Sequence, residues 1–362
     1  MTHASTSTPV TVTVSLPARP PHSYDVVVGN GLRLRAGELI AGIHAACRVL
    51  LLTDDTVEAL YADEVTASLA EAGYTVLLHV IPHGEASKSG EKLLALLERM
   101  AAEQLTRADL LVALGGGVVG DLGGFAAAVY RRGIPFVQMP TTLLAMVDAS
   151  VGGKTAIDLA AGKNLCGAFH QPSLVICDTA CTDTLPAAVY ADGMAEVIKY
   201  AFINDAELYR LLQEGSPDRT DMIRLCIRDK RALVEADETD TGVRQLLNLG
   251  HTVGHAVEAC SGYTVSHGRA VAMGMAIMTR AAEKAGICAA GTSAALLALL
   301  DKYGLSDECP FTVEALNAAA LSDKKRSGGF LTLVVPYGVA DARLVTVPAD
   351  ALEGYIRAGL SD

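Results

Sequence analysis

The sequence predicts two structural units: an α/β unit over residues 1–180 and a mostly α-helical unit over residues 181–362. Three observations support this division. Up to about residue 180, short apolar runs alternate with amphipathic stretches, as in a parallel sheet covered by helices. Beyond that point, long segments rich in alanine and leucine dominate. The length of 362 residues, with 51% hydrophobic and 19% charged residues, provides enough apolar material for two cores.

Eight short apolar runs are predicted to be strands. Residues 48–55 and 109–117 are apolar almost throughout, as expected for strands covered on both faces. Between them, residues 91–103 carry apolar side chains at helical spacing. The last run follows a long helical region and is expected to form one isolated strand. The predicted strands are residues 10–16, 24–29, 48–55, 75–82, 109–117, 135–142, 173–179 and 330–338.

Charge and composition exclude several classes of protein. With 41 acidic and 29 basic residues, the formal net charge is −12, which argues against a general binder of nucleic acid or anionic membranes. No apolar run approaches the roughly 18 residues that span a bilayer, and the N-terminus has no signal-peptide pattern. The eight cysteines are scattered without a C-x-x-C pair, as for thiols in a reducing compartment. We therefore expect a cytoplasmic protein with no nucleic-acid or membrane partner.

A glycine motif marks a candidate nucleotide site. Gly115, Gly117 and Gly120 form G-x-G-x-x-G at the end of a predicted buried strand and the start of a predicted helix. Such glycines let the backbone approach a pyrophosphate at a helix N-terminus, and the alternative is a purely structural turn. We expect a nucleotide-binding, Rossmann-like unit. The motif follows several strands instead of the first, so a simple two-halves Rossmann order is doubtful.

Two lysines lie in glycine-rich sequence downstream of this motif. Gly153, Lys154 and Thr155 suggest a phosphate-binding P-loop, but Asp148 occupies the position where that motif requires glycine. A nucleoside triphosphatase is therefore not expected. Lys154 and Lys163 are interpreted as lying in glycine-rich loops, where they could reach an anionic ligand or be solvated.

Three histidines lie within seventeen residues. His251 and His255 are four residues apart, so on a helix they share one face with Glu258. Thr252 replaces the glutamate of the zinc-peptidase pattern H-E-x-x-H. Spacing alone favours His251 and His255 as a pair of metal ligands and leaves His267 unassigned. A structural role remains the alternative for each histidine.

Glu196 and Lys199 lie three residues apart on an otherwise apolar predicted helix. Buried acids and bases require partners, because an unpaired buried charge is costly. The pair is either a structural ion pair or part of a site for a metal or an anionic ligand.

Seven stretches, in order between residues 24 and 340, resemble a known family. They are HGEASKS, the segment from GGGVVGDLGG to GGKTAID, AGKNLCGAFHQP, AEVIKYAFI, LLNLGHTVGHAVE, SHGRAVAMGM and SDKKRSGG. Together they resemble the 3-dehydroquinate synthases, which belong to the sugar phosphate cyclases. The resemblance implies a homodimer that converts the seven-carbon phosphate DAHP to 3-dehydroquinate and phosphate, with NAD and a divalent metal, zinc or cobalt. The implied sequence is transient oxidation by NAD, β-elimination of phosphate, reduction, ring opening and intramolecular aldol closure.

Matching residue by residue, the resemblance implies three sets of site residues. The implied metal ligands are Glu196, His251 and His267, the two-histidine, one-carboxylate set of a catalytic zinc site, which overrides the His251–His255 pair suggested by spacing. The implied substrate contacts are Arg132, Asp148, Lys154, Asn164, Lys199, Lys230, Arg244, Asn248, His255 and Lys324 or its neighbour Lys325. The implied NAD contacts are Asp54, Glu85, Lys88, Gly116, Gly117, Val118, Val119, Gly120, Asp121, Thr141, Thr142, Lys154, Lys163, Cys181, Thr182, Asp183 and Thr184.

Three departures from the family pattern affect none of these residues. Met146 stands where glutamine is frequent, Ala201 where glycine is common, and Arg269 replaces the usual glutamate after His267 and Gly268. The rival activities are those of another sugar phosphate cyclase, such as a 2-deoxy-scyllo-inosose synthase, and of a glycerol-type, metal-dependent NAD dehydrogenase.

Overall fold

A computed structural model describes residues 22–215, 217–322 and 329–360. The predicted strand at residues 10–16 and the predicted contact Lys324 lie outside the described residues. The first part of the chain contains β1 (Asp25–Gly29), α1 (Ala36–Ala41), β2 (Arg48–Asp54), α2 (Asp55–Val57), α3 (Asp63–Glu71), β3 (Thr75–Ile81), α4 (Gly90–Ala102), β4 (Leu110–Gly115), α5 (Gly117–Val129), β5 (Phe136–Pro140), β6 (Lys154–Leu159), β7 (Gly162–Phe169) and β8 (Leu174–Asp178).

Six of these strands form one parallel sheet in the order β1-β8-β5-β4-β2-β3. The sequence predicted all six, and the expectation of a parallel, helix-covered sheet is confirmed. Alternate residues of β2 face two cores: Val49 and Leu51 belong to one apolar cluster, and Leu50 and Leu52 to the other. This double burial explains why the strand reads as a continuous apolar run.

The chain reverses direction across the sheet between β2 and β4. After β2 it moves outward to β3 and then crosses back to β4, so the carboxyl ends of β2 and β4 are neighbours at a topological switch point. In open α/β sheets, ligands bind in the crevice outside such a point. The glycine motif follows β4 at this position, and the order differs from the simple two-halves arrangement, as the late position of the motif indicated.

The second part of the chain is largely helical. It contains α6 (Ala187–Ile203), α7 (Ala206–Gln213), α8 (Arg219–Ala236), α9 (His251–Cys260), α10 (His267–Lys284), α11 (Thr292–Lys302), α12 (Val313–Ser322), β9 (Phe330–Gly338), β10 (Asp341–Pro348) and α13 (Ala351–Gly359). Short 3-10 helices cover Thr179–Thr184 and Val243–Asn248. The largest apolar cluster includes residues from both parts, such as Val137 and Ile198, and the boundary at residue 180 stays a prediction.

Two sequence interpretations are wrong. The strand predicted at residues 330–338 is not isolated, because β9 pairs with β10 in an antiparallel hairpin. Lys154 and Lys163 do not lie in glycine-rich loops, because they belong to β6 and β7, which form a second antiparallel hairpin. Strands β6, β7 and β10 contain several exposed positions, whose mixed polarity conceals the strand pattern.

Among the described residues, no helix is both long enough and apolar enough to cross a membrane. All eight cysteines are free thiols.

Candidate active site

Three side chains from three helices converge at one buried point. Glu196 lies in α6, His251 is the first residue of α9, and His267 is the first residue of α10. The Nε2 atoms of both histidines lie 3.6 Å from Glu196 Oε1. Glu196 is fully buried, and this oxygen accepts no hydrogen bond from the residues that the structure describes. An orphaned buried carboxylate oxygen facing two imidazole nitrogens fits a divalent cation, because two histidines and one carboxylate form an open catalytic zinc site.

Close packing of α9 against α10 positions the two histidines. Gly250 has a φ of 79° and begins the turn into α9. A Cβ at Gly250 would lie 2.7 Å from the Val271 carbonyl oxygen and 2.6 Å from Met275 Cγ, so only glycine allows this approach. The first residue of α9 is thereby held against α10, and the ring centroids of His251 and His267 lie 5.2 Å apart.

Each histidine has a hydrogen bond that turns its Nε2 atom toward Glu196. His251 Nδ1 is 3.1 Å from the Leu249 carbonyl oxygen, and His267 Nδ1 is 3.4 Å from Glu258 Oε2. A proton on each Nδ1 leaves the Nε2 lone pair available for a metal. This arrangement directs both Nε2 atoms at the same position, and His267, which is protonated in the metal-free protein, would release its Nε2 proton to a bound cation.

The surrounding charges keep the Glu196 carboxylate ionised and give the two histidines different protonation states. Burial lowers the pKa of His251 to about 3, so this ring is neutral. Burial opposes the charge on His267, but Glu196 and Glu258 outweigh it and raise its pKa to about 10. Although burial acts against ionisation, Lys199 and His251 lower the pKa of Glu196 to about 2. In the metal-free protein the site thus holds one proton on His267, which a bound cation would displace.

A second group of potential ligands shares His267. Donor atoms of His255, Glu258 and His267 also lie close enough to hold one ion, whereas neither group contains both His251 and His255. The two groups differ in burial: His255 is exposed, while Glu196 and His251 are buried. The pairing of His251 with His255 suggested by spacing therefore has no counterpart in either group.

Buried cations line the region next to this point. Lys199 is fully buried against Glu196, and Lys230 contacts the carboxylate and the carbonyl oxygen of Asp148. The Asp148 carboxylate also accepts a hydrogen bond of 3.2 Å from the Tyr200 hydroxyl. Burial opposes ionisation of Asp148, yet Lys230 and Lys199 hold its pKa well below the usual range. A cluster of ionised lysines at this depth suits a multiply anionic ligand.

Arg244 extends this basic region. Its side chain is almost fully buried, and its Nη atoms donate to the carbonyl oxygens of Gly152 at 3.1 Å and Glu238 at 2.6 Å. Its Nε atom has no acceptor within the described part of the chain. Lys154 pairs with Asp240 on the neighbouring surface.

The predicted nucleotide contacts gather at the carboxyl ends of the parallel strands. Gly116 precedes α5, whose N-terminal amides face this edge, and Asp54 ends the adjacent β2. A Cβ at Gly120 would lie 2.6 Å from Gln138 Oε1, so a larger residue here would require the Gln138 side chain to move. Asp54 already accepts hydrogen bonds from the amides of Thr56 and Val57 and caps α2.

Lys88 contacts one residue of the predicted NAD set and one residue of the predicted substrate set. Its Nζ atom lies 2.5 Å from Asp121 Oδ2 and contacts the Asn164 side chain. Glu85 is near Lys163, at 3.9 Å from carboxylate oxygen to Nζ. Thr141 Oγ1 is buried without a partner among the described residues, and Thr142 Oγ1 accepts from the Ala145 amide.

The predicted contacts at residues 181–184 lie in the 3-10 helix that follows β8. The Tyr61 hydroxyl lies 2.5 Å from Thr184 Oγ1 and 3.4 Å from the Cys181 carbonyl oxygen. Thr182 donates to the Thr179 carbonyl oxygen, and the exposed Asp183 pairs with Arg219. Several groups of this segment are thus already bonded within the protein.

One predicted substrate contact, Arg132, lies apart from these clusters, whereas Asn248 shares a 3-10 helix with Arg244. Arg132 is exposed with a φ of 65° and follows α5, whose thirteen residues run roughly 20 Å away from the glycine turn. Asn248 is half-buried at the end of its 3-10 helix. Within this one chain, the structure does not bring Arg132 to the cation cluster.

Sequence reasoning did not assign a role to Glu258 or Tyr200. Glu258 lies on the helix face of His251 and His255, as the spacing indicated, but the spacing alone gave it no function. Tyr200 could not have been found this way, because its contact with Asp148 joins residues 52 positions apart. The departures Met146 and Ala201 are fully buried, and the Arg269 amide donates to Asp192 at 3.1 Å.

Comparison with solved structures places the fold among the sugar phosphate cyclases. A 2-epi-5-epi-valiolone synthase from Streptomyces hygroscopicus, solved with NAD⁺ and Zn²⁺ bound, is 29% identical with a TM-score of 0.85, covering 95% of this chain and 98% of that one. A 2-deoxy-scyllo-inosose synthase, complexed with carbaglucose-6-phosphate, NAD⁺ and Co²⁺, is 25% identical with a TM-score of 0.83, covering 93% and 97%.

Sequence comparison defines the family more narrowly. The family described as 3-dehydroquinate synthase N-terminal matches residues 78–192, and the one described as 3-dehydroquinate synthase C-terminal matches residues 193–326. A 3-dehydroquinate synthase of Caulobacter vibrioides is 46% identical over 349 residues, which cover 92% of this chain and 94% of that protein. The chain belongs to the 3-dehydroquinate synthase family.

Proposed function

We propose that this protein is a carbocycle-forming phosphorus–oxygen lyase that converts DAHP to 3-dehydroquinate and phosphate, a step of the shikimate pathway. The observation that supports this most strongly is the convergence of Glu196, His251 and His267 beside a cluster of buried cations, in a chain of this family. A metal site next to lysines and an arginine suits a substrate that carries hydroxyl, carboxylate and phosphate groups.

Glu196, His251 and His267 would hold a zinc or cobalt ion. The donor set is compatible with either metal, because both accept imidazole and carboxylate ligands. When bound, the metal polarises a substrate hydroxyl and NAD accepts and returns a hydride. The protein's own contribution is to keep Glu196 ionised by means of Lys199 and to present both Nε2 lone pairs.

The buried cations would bind the anionic groups of the substrate. Burial lowers the pKa of Lys230, and contact with the Asp148 carboxylate opposes this shift and fixes the position of the lysine. We assign substrate contacts to the set matched by the family resemblance. Of these residues, Lys199 and His255 lie on α6 and α9, which carry metal ligands, and Lys230 and Arg244 lie on elements that contact α6. Fixed charges that need no rearrangement lower the barrier for a reaction with a charged leaving group.

NAD would occupy the crevice at the carboxyl ends of β2 and β4. The pyrophosphate would face the α5 N-terminus at Gly116 and Gly117, and Asp54 would face a ribose. The buried Thr141 hydroxyl, which has no partner among the described residues, is available to a ligand here.

The test is to incubate purified protein with DAHP, NAD and zinc. Release of phosphate together with dehydroquinate absorbance, and without net NADH, is the expected result. NADH accumulating with a simple polyol would instead identify a glycerol-type dehydrogenase. Conversion of glucose 6-phosphate or sedoheptulose 7-phosphate, but not DAHP, would identify another sugar phosphate cyclase.

We also propose a cytoplasmic location, a homodimer and no nucleic-acid partner. Eight free thiols suit a reducing compartment, and the net charge of −12 disfavours polyanions. Division of the chain near residue 180 into a nucleotide-binding and a metal-binding domain completes the proposal. Size-exclusion chromatography with light scattering tests the dimer directly.

A further inference from the structure

Glu258 is a buried carboxylate to which neither the sequence patterns nor the family resemblance gives a role. It lies in α9 with 4% of its surface exposed. One oxygen, Oε2, is 3.4 Å from His267 Nδ1, and the other, Oε1, is 3.5 Å from Lys163 Nζ. A buried carboxylate must be paired, and these two contacts pair both of its oxygens.

The two histidines that face Glu196 are supported differently. His251 Nδ1 faces a neutral acceptor, the Leu249 carbonyl oxygen, whereas His267 Nδ1 faces the charged Glu258. A carboxylate that accepts the Nδ1–H of a ligating imidazole fixes the ring orientation and increases the basicity of Nε2. His267 is also the more exposed of the two rings, with 32% of its side chain accessible against 10% for His251, so its orientation depends more on this contact.

We propose that Glu258 is a positioning residue of the metal site: it holds the His267 ring with Nδ1 protonated, so that Nε2 faces the cation held by Glu196 and His251. The inference rests on the proposed metal site. Lys163, from the β6–β7 hairpin, balances the charge of the second carboxylate oxygen. Its Nζ atom also lies over the Tyr263 ring, 4.9 Å from the ring centroid. The nucleotide side of the cleft is thereby linked to a metal ligand through one carboxylate.

The alternative is that Glu258 is itself a ligand, together with His255 and His267. The hydrogen-bonding of the two carboxylates argues against it. Both oxygens of Glu258 have partners, while Glu196 Oε1 has none among the described residues and is the oxygen directed at the two Nε2 atoms. A cation is expected at the unsatisfied carboxylate.

The test compares zinc affinity, measured by chelator competition on metal-free protein, for wild type, Glu258→Ala, Glu258→Gln and Glu196→Gln. Glu235→Gln, on the surface of α8, is the control for loss of one negative charge. We expect Glu258→Ala to weaken zinc binding about 10- to 100-fold. Glu258→Gln retains an acceptor for Nδ1–H and should lose less, and Glu235→Gln should match wild type. Circular dichroism of each metal-free variant controls for folding.

Nitrogen-15 NMR of the zinc-loaded wild type provides a second readout, since it distinguishes metal-bound Nε2 from protonated Nδ1 in His267. Zinc bound at Nδ1 would overturn the proposal. So would a Glu258→Ala affinity within twofold of wild type, or a loss as complete as that of Glu196→Gln, which would make Glu258 a ligand. Failure of the wild type itself to bind zinc would refute the metal site; the other outcomes concern Glu258 alone.

Discussion

Replacing Lys199 with methionine removes the positive charge that lies closest to the Glu196 carboxylate. Both side chains are fully buried and in direct contact, three residues apart on α6. Removing one partner of a buried ion pair costs about 3–5 kcal/mol, because the remaining charge stays buried. The charged His267 ring lies 3.6 Å from the second oxygen of Glu196 and compensates for part of this loss, but that oxygen accepts no hydrogen bond within the described part of the chain. We expect the free energy of unfolding of metal-free Lys199→Met to fall by about 3–5 kcal/mol.

Urea denaturation of the metal-free protein at pH 7 measures this loss. Zinc at 100 times its dissociation constant should restore about 2.7 kcal/mol, since the cation replaces the missing charge beside Glu196. The double variant Glu196→Leu/Lys199→Met should be as stable as wild type or more stable, because two apolar side chains remove both desolvation costs. Lys284→Met, on the exposed end of α10, is the control and should cost less than about 1 kcal/mol. A loss below 1 kcal/mol for Lys199→Met, or additive losses in the double variant, would refute this reasoning.

Three further predictions concern the metal ligands, the pH dependence of folding stability, and the packing of α10 against α6. His251→Ala should abolish zinc binding, whereas His255→Ala should retain zinc and lose most turnover, as measured by metal analysis and phosphate release. Burial and the neighbouring Asp205 raise the pKa of Asp229 to about 7, so the folded state binds this proton more tightly than the unfolded chain and stability falls between about pH 4 and pH 7. Asp229→Asn should remove this decline, worth about 2 kcal/mol after solvent screening, in urea titrations at pH 5 and pH 8. Gly268→Ala should lower the free energy of unfolding by about 1–3 kcal/mol in urea titrations, because the added Cβ would lie 2.0 Å from the Asp192 carbonyl oxygen of α6. Because Gly268 follows His267, the same change should weaken zinc binding.

Each of these three predictions would be contradicted by one specific result. Equal loss of zinc in His255→Ala and His251→Ala would show that both histidines are ligands. An unchanged pH dependence in Asp229→Asn would place the titrating group elsewhere. Wild-type stability and zinc affinity in Gly268→Ala would show that the two helices can separate without moving the ligand.

The parallel sheet was predictable because its strands are buried on both faces. The uninterrupted apolar runs in β2 and β4 follow directly from that burial. The hairpin β6–β7 was not predictable in the same way, since every residue of β7 is exposed or half-buried and none marks a buried face. Its glycines suggested loops, although Gly167 is required within β7 because a Cβ would lie 2.2 Å from the Thr155 carbonyl oxygen.

The candidate site was only partly predictable from spacing. His251 and His255 share a helix face, but coordination depends on where Nε2 and Nδ1 point, and those directions are set by Leu249 and Glu258. The partner of His251 comes from the next helix, and its approach depends on packing at Gly250. Local periodicity contains no information on this tertiary contact. The family resemblance named the three residues, and the structure brings them together.

The most direct test of the account counts turnovers against cofactor. Protein with one NAD per site and no free NAD is supplied with zinc and excess DAHP, and phosphate and dehydroquinate are measured with absorbance at 340 nm. The account predicts many equivalents of both products per NAD with no lasting NADH, because the hydride is returned in every cycle. Product limited to one equivalent per NAD, with NADH accumulating in step, would contradict it.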